Sequence, residues 1–328
     1  MKLQRILKLK MTGDDVRFLQ TKLREHGFFF ERIDGNFGQN TLISVTNFQR
    51  AAGLKADGNV GSLTWSKLQT YGQVKEVVLP PDEIPYKLSH VGQDGFKIYD
   101  CLLSDDEYYQ EEVIKKTIYL HHTAGGSRPD WSIGGWEKDF TKDRKGNPVL
   151  DSNGVPKSLR VGTSFVIGRK SSTTGDTLWD GKILRAFDDK YWAYHLGVND
   201  PEQKFNSMSI GIEICNYGPL TLGKDGRFYN YVNKPIMESE VVKLDNPFRG
   251  YEYWERYTDA QIESTRSLLV HLIIKWGINI DGKIYNEDWF NYDASKLSNG
   301  GLRSHTQVRK DKFDIFPQKE MIQMLNSL

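Results

Sequence analysis

The run Thr117 to Gly126, TIYLHHTAGG, constrains this chain most. It is apolar and partly β-branched, and it ends in two adjacent histidines and a small-residue turn. Side chains of a strand alternate between faces, so Ile118 and Leu120 share one face while Tyr119 and His121 share the other. His121 therefore arrives at a strand end, opposite the apolar pair, where loops leave a sheet. His122 falls on the apolar face, which favours His121 as the chemically useful member of the pair.

A second run supplies partners. In SHTQVRKDKFDIFP (304–317), His305, Lys312 and Asp314 lie within ten residues. Two imidazoles and a carboxylate are a common ligand set for catalytic zinc, which keeps a fourth position for water. Lys312, two residues before Asp314, could stabilise a developing oxyanion at the same place. A third run, SIGIEI (209–214), reads as the cleanest strand. Ile210, Ile212 and Ile214 take one face, and Ser209, Gly211, Glu213 and Cys215 the other. A carboxylate opposite an isoleucine row, with a glycine leaving room beside it, suits a cleft-facing acid or base.

HHTAG (121–125), SIGIEI and the His305…Lys312-x-Asp314 run, in this order, resemble the zinc-dependent N-acetylmuramoyl-L-alanine amidases, a fold shared with peptidoglycan recognition proteins. The resemblance spans residues 110 to 320 and implies an α/β domain with a mixed central β-sheet flanked by helices. Carried over position by position, it implies Zn2+ held by His121, His305 and Asp314, with Glu213 and Lys312 as the catalytic pair. His195, in WAYHLG (192–197), matches a histidine element of the family and is a candidate for substrate contact. One departure stands out: the family commonly follows its aspartate with Pro-Gly-Pro, whereas Ile315-Phe316-Pro317 follows Asp314 here.

Residues 1–70 read as a small all-α module of three helices. Val16, Leu19 and Leu23 recur at helical spacing behind Gly13-Asp14-Asp15. The near-repeat DGNxGxxT, at 34–41 and 57–64, gives two tight turns that favour positive φ, each leading into a helix. This pattern resembles the peptidoglycan-binding domain found at the ends of wall hydrolases. Residues 71–88, with Pro80, Pro81 and Pro85, read as a semi-rigid linker, leaving 89–328 for the catalytic domain. Within it, SDDEYYQEEVIKK (104–116) suggests an acidic helix. GTSFVIGR (162–169) and ILRAFDD (183–189) suggest strands, and Thr258…Gln261 a capping box opening a long helix. The polar stretch 127–160 suggests a loop or lid in which Trp131 or Trp136 stacks on a sugar ring. The tyrosine-rich stretch 217–257 reads as irregular.

Net charge is +1, which argues against a general nucleic-acid binder, although residues 1–70 alone carry +5. Cys101 and Cys215 imply no disulfide framework. The basic start MKLQRILKLK lacks the apolar core of a signal peptide, and no run is long enough to span a membrane. The expectation is a monomer made in the cytoplasm without a signal peptide, with peptidoglycan as partner. A phage endolysin reaching the wall through a holin fits that description. A non-catalytic recognition protein and a zinc peptidase of the stem peptide are the alternatives.

Overall fold

The computed structural model describes residues 3–26, 28–29, 33–52, 54–55, 57–70, 84–92, 94–152, 156–280, 283–297 and 300–328. The chain divides into two compact units, Met1–Asp82 with His271–Gly277, and Glu83–Val270 with Ile278–Leu328.

The first unit holds α1 (Asp14–Glu25), α2 (Gln39–Ala51) and α3 (Ser62–Thr70), as the sequence predicts. Val16, Leu19, Leu23, Val45, Phe48 and Leu68 form its core. The DGN repeat proves to be one half of a duplicated device whose other half is a buried glutamine. Gln20 donates to Asp34 Oδ1 (2.8 Å), the Asn36 carbonyl (3.0 Å) and Thr41 Oγ1 (3.1 Å), while its Oε1 accepts from Gly35 N (2.8 Å). Gln49 repeats the pattern on Asp57, Asn59, Thr64 and Gly58. Gly35 and Gly58, at φ 74° and 71°, sit where the turn needs the left-handed region. Thr41 and Thr64 thus serve the glutamines. Gln20→Leu keeps the volume but orphans the buried Gly35 N–H, so it should destabilise this unit by about 2–3 kcal/mol. Amide exchange of unit-one protons in the whole protein measures this, and parental protection at Gly35 would contradict it.

The second unit is built on a seven-stranded mixed sheet. Its strands are β1 (Lys87–Val91), β2 (Lys97–Asp100), β3 (Thr117–His122), β4 (Phe165–Ile167), β5 (Ile183–Arg185), β6 (Ser209–Ile214) and β12 (Gly301–Ser304). Their order is β1-β2-β5-β4-β6-β3-β12. The stretch β4-β6-β3-β12 is parallel, and the β1–β2 and β4–β5 pairs are antiparallel. Parallel strands are covered on both faces, and every residue of β3 is buried. Around the sheet run α4 (Pro129–Trp136), α5 (Lys204–Ser207), α6 (Asp259–Trp276), α7 (His305–Val308) and α8 (Lys319–Asn326). The capping box that opens α6 forms as expected: Gln261 N donates to Thr258 Oγ1 and Thr258 N to Gln261 Oε1.

Three expectations need correction. The second unit starts inside the stretch read as linker: Ile84 is buried in its core and β1 begins at Lys87, while 71–83 lies outside the described residues. Residues 104–116 form no helix. They run irregularly into β3, tied down by Tyr109 N to the Trp192 carbonyl (2.7 Å) and Val113 N to the Lys190 carbonyl (3.0 Å). The stretch 217–257 is ordered as a small sheet of β7 (Thr221–Leu222), β8 (Phe228–Tyr229) and β9 (Pro235–Ile236), followed by a hairpin of β10 (Val241–Phe248) and β11 (Tyr251–Glu255). A buried cation fastens this insertion to the residues after β4. Arg169 pairs with Glu240 (2.9 Å) and with Glu255, and Lys170 pairs with Glu240 (2.8 Å).

Candidate metal centre and catalytic cleft

Register places the site. His121, near the end of β3, is the direct neighbour of Glu213 on β6, and β12 on the other side of β3 runs straight into α7, whose first residue is His305. Asp314 returns nine residues later, where its carbonyl accepts from Thr306 N (3.0 Å). Three ligand atoms then converge. His121 Nδ1 and His305 Nδ1 are 3.0 Å apart, His305 Nδ1 and Asp314 Oδ2 2.8 Å, and His121 Nδ1 and Asp314 Oδ2 3.4 Å. All three residues are buried, and among the described residues they form a group able to hold a metal ion.

The surrounding hydrogen bonds decide what that triangle wants. His305 Nε2 faces the Leu196 carbonyl at 2.9 Å, which can only accept, so Nε2 carries the proton. Ser209 Oγ donates to the Phe205 carbonyl (2.6 Å) and accepts from His195 Nε2 (2.8 Å). His195 Nδ1 is then bare and accepts from His121 Nε2 at 3.0 Å. Both histidines consequently turn an unprotonated Nδ1 toward a carboxylate oxygen. Three lone pairs at such distances need a positive charge between them, either a proton or a metal cation. For a tetrahedral cation with bonds of about 2.0–2.1 Å, ligand atoms lie about 3.3 Å apart, close to the spacings here. The donor set fits. Outer partners that fix the ring tautomer are the usual support of such ligands.

Burial, with the neighbouring His305 adding to it, lowers the His121 pKa to about 4, so this ring is neutral and ready to ligate. Burial of Asp314 opposes ionisation, but positive charge placed among Oδ2 and the Nδ1 atoms of His305 and His121 holds its carboxyl well below the usual range.

His121, His305, Asp314, Glu213, Lys312, His195 and Trp136 line one cleft of about 370 Å³, together with Thr163, Val161 and Phe313. Glu213 stands beside the triangle. Its Oε2 is buried and has no hydrogen-bond partner. Burial, then the Asp314 carboxylate, push the Glu213 carboxyl well above the usual range, with Lys312 opposing. Gly211 is needed next to it, because a Cβ there would lie 2.6 Å from Thr163 Cγ2 and 3.1 Å from His195 Nδ1.

The remaining candidates separate. His122 stands outside the ligand group, with Nδ1 3.3 Å from Tyr257 Oη. Trp136 reaches the cleft wall, whereas Trp131 is exposed, with the Arg128 guanidinium 4.8 Å over its ring. His195, the candidate for substrate contact, lines the cleft and also faces His121 Nε2 with its Nδ1. The Ser209 hydroxyl and Leu196 carbonyl escaped the sequence reading. Both lie in the motifs SIGIEI and WAYHLG, but which atom faces which ring depends on the fold.

The mixed sheet thus carries a His-His-Asp group able to hold a cation, with Glu213 and Lys312 lining the same cleft, the arrangement of a hydrolase. The chain belongs to the N-acetylmuramoyl-L-alanine amidase family, whose profile matches residues 110–312, and residues 12–68 match the putative peptidoglycan binding domain. A spore cortex-lytic enzyme of Oceanobacillus iheyensis is 34% identical over 141 residues, 42% of this chain and 40% of the relative. A probable N-acetylmuramoyl-L-alanine amidase of Bacillus licheniformis is 37% identical over 128 residues, 37% of this chain and 32% of the relative. The chain spans under half the length of these curated relatives. The solved structure of PlyL aligns over 66% of this chain and 84% of its own, at 13% identity and a TM-score of 0.34.

Proposed function

We propose that this protein is a zinc-dependent peptidoglycan amidase that cleaves the bond between N-acetylmuramic acid and the L-alanine of the stem peptide. The observation that carries the reading is the meeting of two bare Nδ1 atoms and a carboxylate oxygen beside a buried, unpartnered glutamate oxygen. Zn2+ held by His121, His305 and Asp314 would supply Lewis acidity, lowering the pKa of a water and polarising the scissile carbonyl. Glu213 Oε2 accepts the proton of the attacking water and returns it to the leaving amine. Lys312, on the cleft wall, would stabilise the oxyanion that forms on the carbonyl oxygen as water adds to the amide carbon. The Phe205–Ser209–His195 chain keeps His121 in one tautomer throughout, and Leu196 does the same for His305.

The amino-terminal unit would hold the enzyme on insoluble wall, a partner that rewards tethering. An anchored hydrolase of this kind suits a lytic role, and we place it with phage endolysins: a monomer made in the host cytoplasm and released to the wall through a holin. The test is product analysis on purified sacculi, with chelator and with zinc restored. New L-alanine amino termini, lost on chelation and regained with zinc, are expected. Cleavage between two stem residues would keep the site and change the bond. Wall binding without cleavage would overturn the enzymatic reading in favour of a recognition protein.

A further inference from the structure

The segment His305–Asp314 contributes two of the three converging ligand atoms and Lys312, yet only its first turn is helical. Something must hold it to a few tenths of an ångström if those groups are to work together. From within, Arg309 Nη1 ties it to the Gly197 carbonyl (2.8 Å). From outside, the grip comes from the insertion, at the tip of the β10–β11 hairpin. Arg249 Nη2 donates to the Thr306 carbonyl (3.0 Å) and Nη1 to the Lys310 carbonyl (2.9 Å). Its neighbour Tyr251 sets its ring 5.7 Å from that of Phe313, the residue between Lys312 and Asp314.

The hairpin itself marks Arg249 as unusual. Phe248 pairs with Tyr251, and the two residues between them, Arg249 and Gly250, have φ of 52° and 86°. A two-residue turn with both φ positive favours Asn-Gly, because a Cβ is strained in the left-handed region and asparagine tolerates it best. A long cationic side chain occupies the strained position here, and its guanidinium spans two carbonyls of the segment bearing the ligands. Strain kept at such a place points to function.

We propose that Arg249 is a positioning residue: it clamps the 305–314 segment so that Asp314 and Lys312 stand at fixed places beside His121 and Glu213. The proposal rests on the zinc amidase reading of the site. It assigns the insertion a part in the reaction, since a cation that never touches substrate sets the geometry of groups that do.

Arg249→Asn separates this role from simple structural support, because asparagine suits the turn better while the guanidinium is lost. In the full-length protein the unfolding temperature should stay within a few degrees of the parent. Zinc affinity, read by chelator competition, should fall about tenfold, and kcat about 10- to 100-fold with KM nearly unchanged, the range seen when outer supports of metal ligands are removed. Arg249→Lys, which can reach one carbonyl at a time, should recover part of both losses. Parental zinc affinity and kcat in Arg249→Asn would overturn the proposal. If that variant does not fold, parental values in Arg249→Lys would overturn it equally. A parent that takes up no zinc overturns the zinc reading and this proposal together, whereas a zinc-loaded, active parent matched by its variants overturns this proposal alone.

Discussion

His305→Ala is expected to lose bound metal and hydrolysis together, with kcat/KM down about a thousandfold or more. Charge stabilisation by a metal is worth several kcal/mol, and about 1.4 kcal/mol corresponds to each decade of rate. The variant removes the Nδ1 that lies within 3.0 Å of both His121 Nδ1 and Asp314 Oδ2. It also leaves the Leu196 carbonyl without the ring N–H it accepts from. Asp314 remains buried beside a single imidazole, a poor environment for a carboxylate. Metal content after gel filtration and turnover of a soluble muropeptide, on protein whose circular dichroism matches the parent, measure the effect. Full metal occupancy with parental turnover would remove His305 from the ligand set.

The three ligand candidates were legible in the sequence because each rests on short-range geometry. Strand alternation separates His121 from His122, and His305 and Asp314 lie nine residues apart around one turn of helix. The isoleucine row of β6 placed Glu213 on the same cleft by the same logic, and the register of β3 against β6 joins the two. What could not be read depends on contacts between distant segments. Nothing in WAYHLG says that the His195 ring will lie between His121 and Ser209. Residues 104–116 looked helical from their charges, yet they lack an apolar stripe, and backbone bonds to the segment around Lys190 and Trp192 claim them first. The order of 217–257 was hidden because β7, β8 and β9 are two residues each and β10 shows no alternation of burial. Pairing partners and the buried Arg169 hold that insertion, and neither leaves a local pattern. Gln20 and Gln49 leave no local signal for a related reason: the DGN turns announce themselves, but the side chain that satisfies each lies on the preceding helix.

Glu213→Gln should abolish most turnover while leaving the metal in place. General acid–base groups contribute about 10²–10⁴-fold, and kcat is expected to fall across that range with KM within a few-fold of the parent. The substitution is nearly isosteric, so the close packing of Gly211 against Thr163 and His195 is kept. Its chemistry is not kept: Glu213 Oε2 is buried without a hydrogen-bond partner and, as a carboxylate oxygen, can take a proton, whereas an amide there has none of that basicity. The ligand triangle excludes Glu213, so zinc retained at parental stoichiometry alongside lost turnover separates a proton carrier from a ligand. Loss of both together would make Glu213 a support of the metal site. Undiminished kcat would leave the proton transfer to another group, and the raised carboxyl pKa of Glu213 would then reflect only the apolar burial of its side chain beside Asp314.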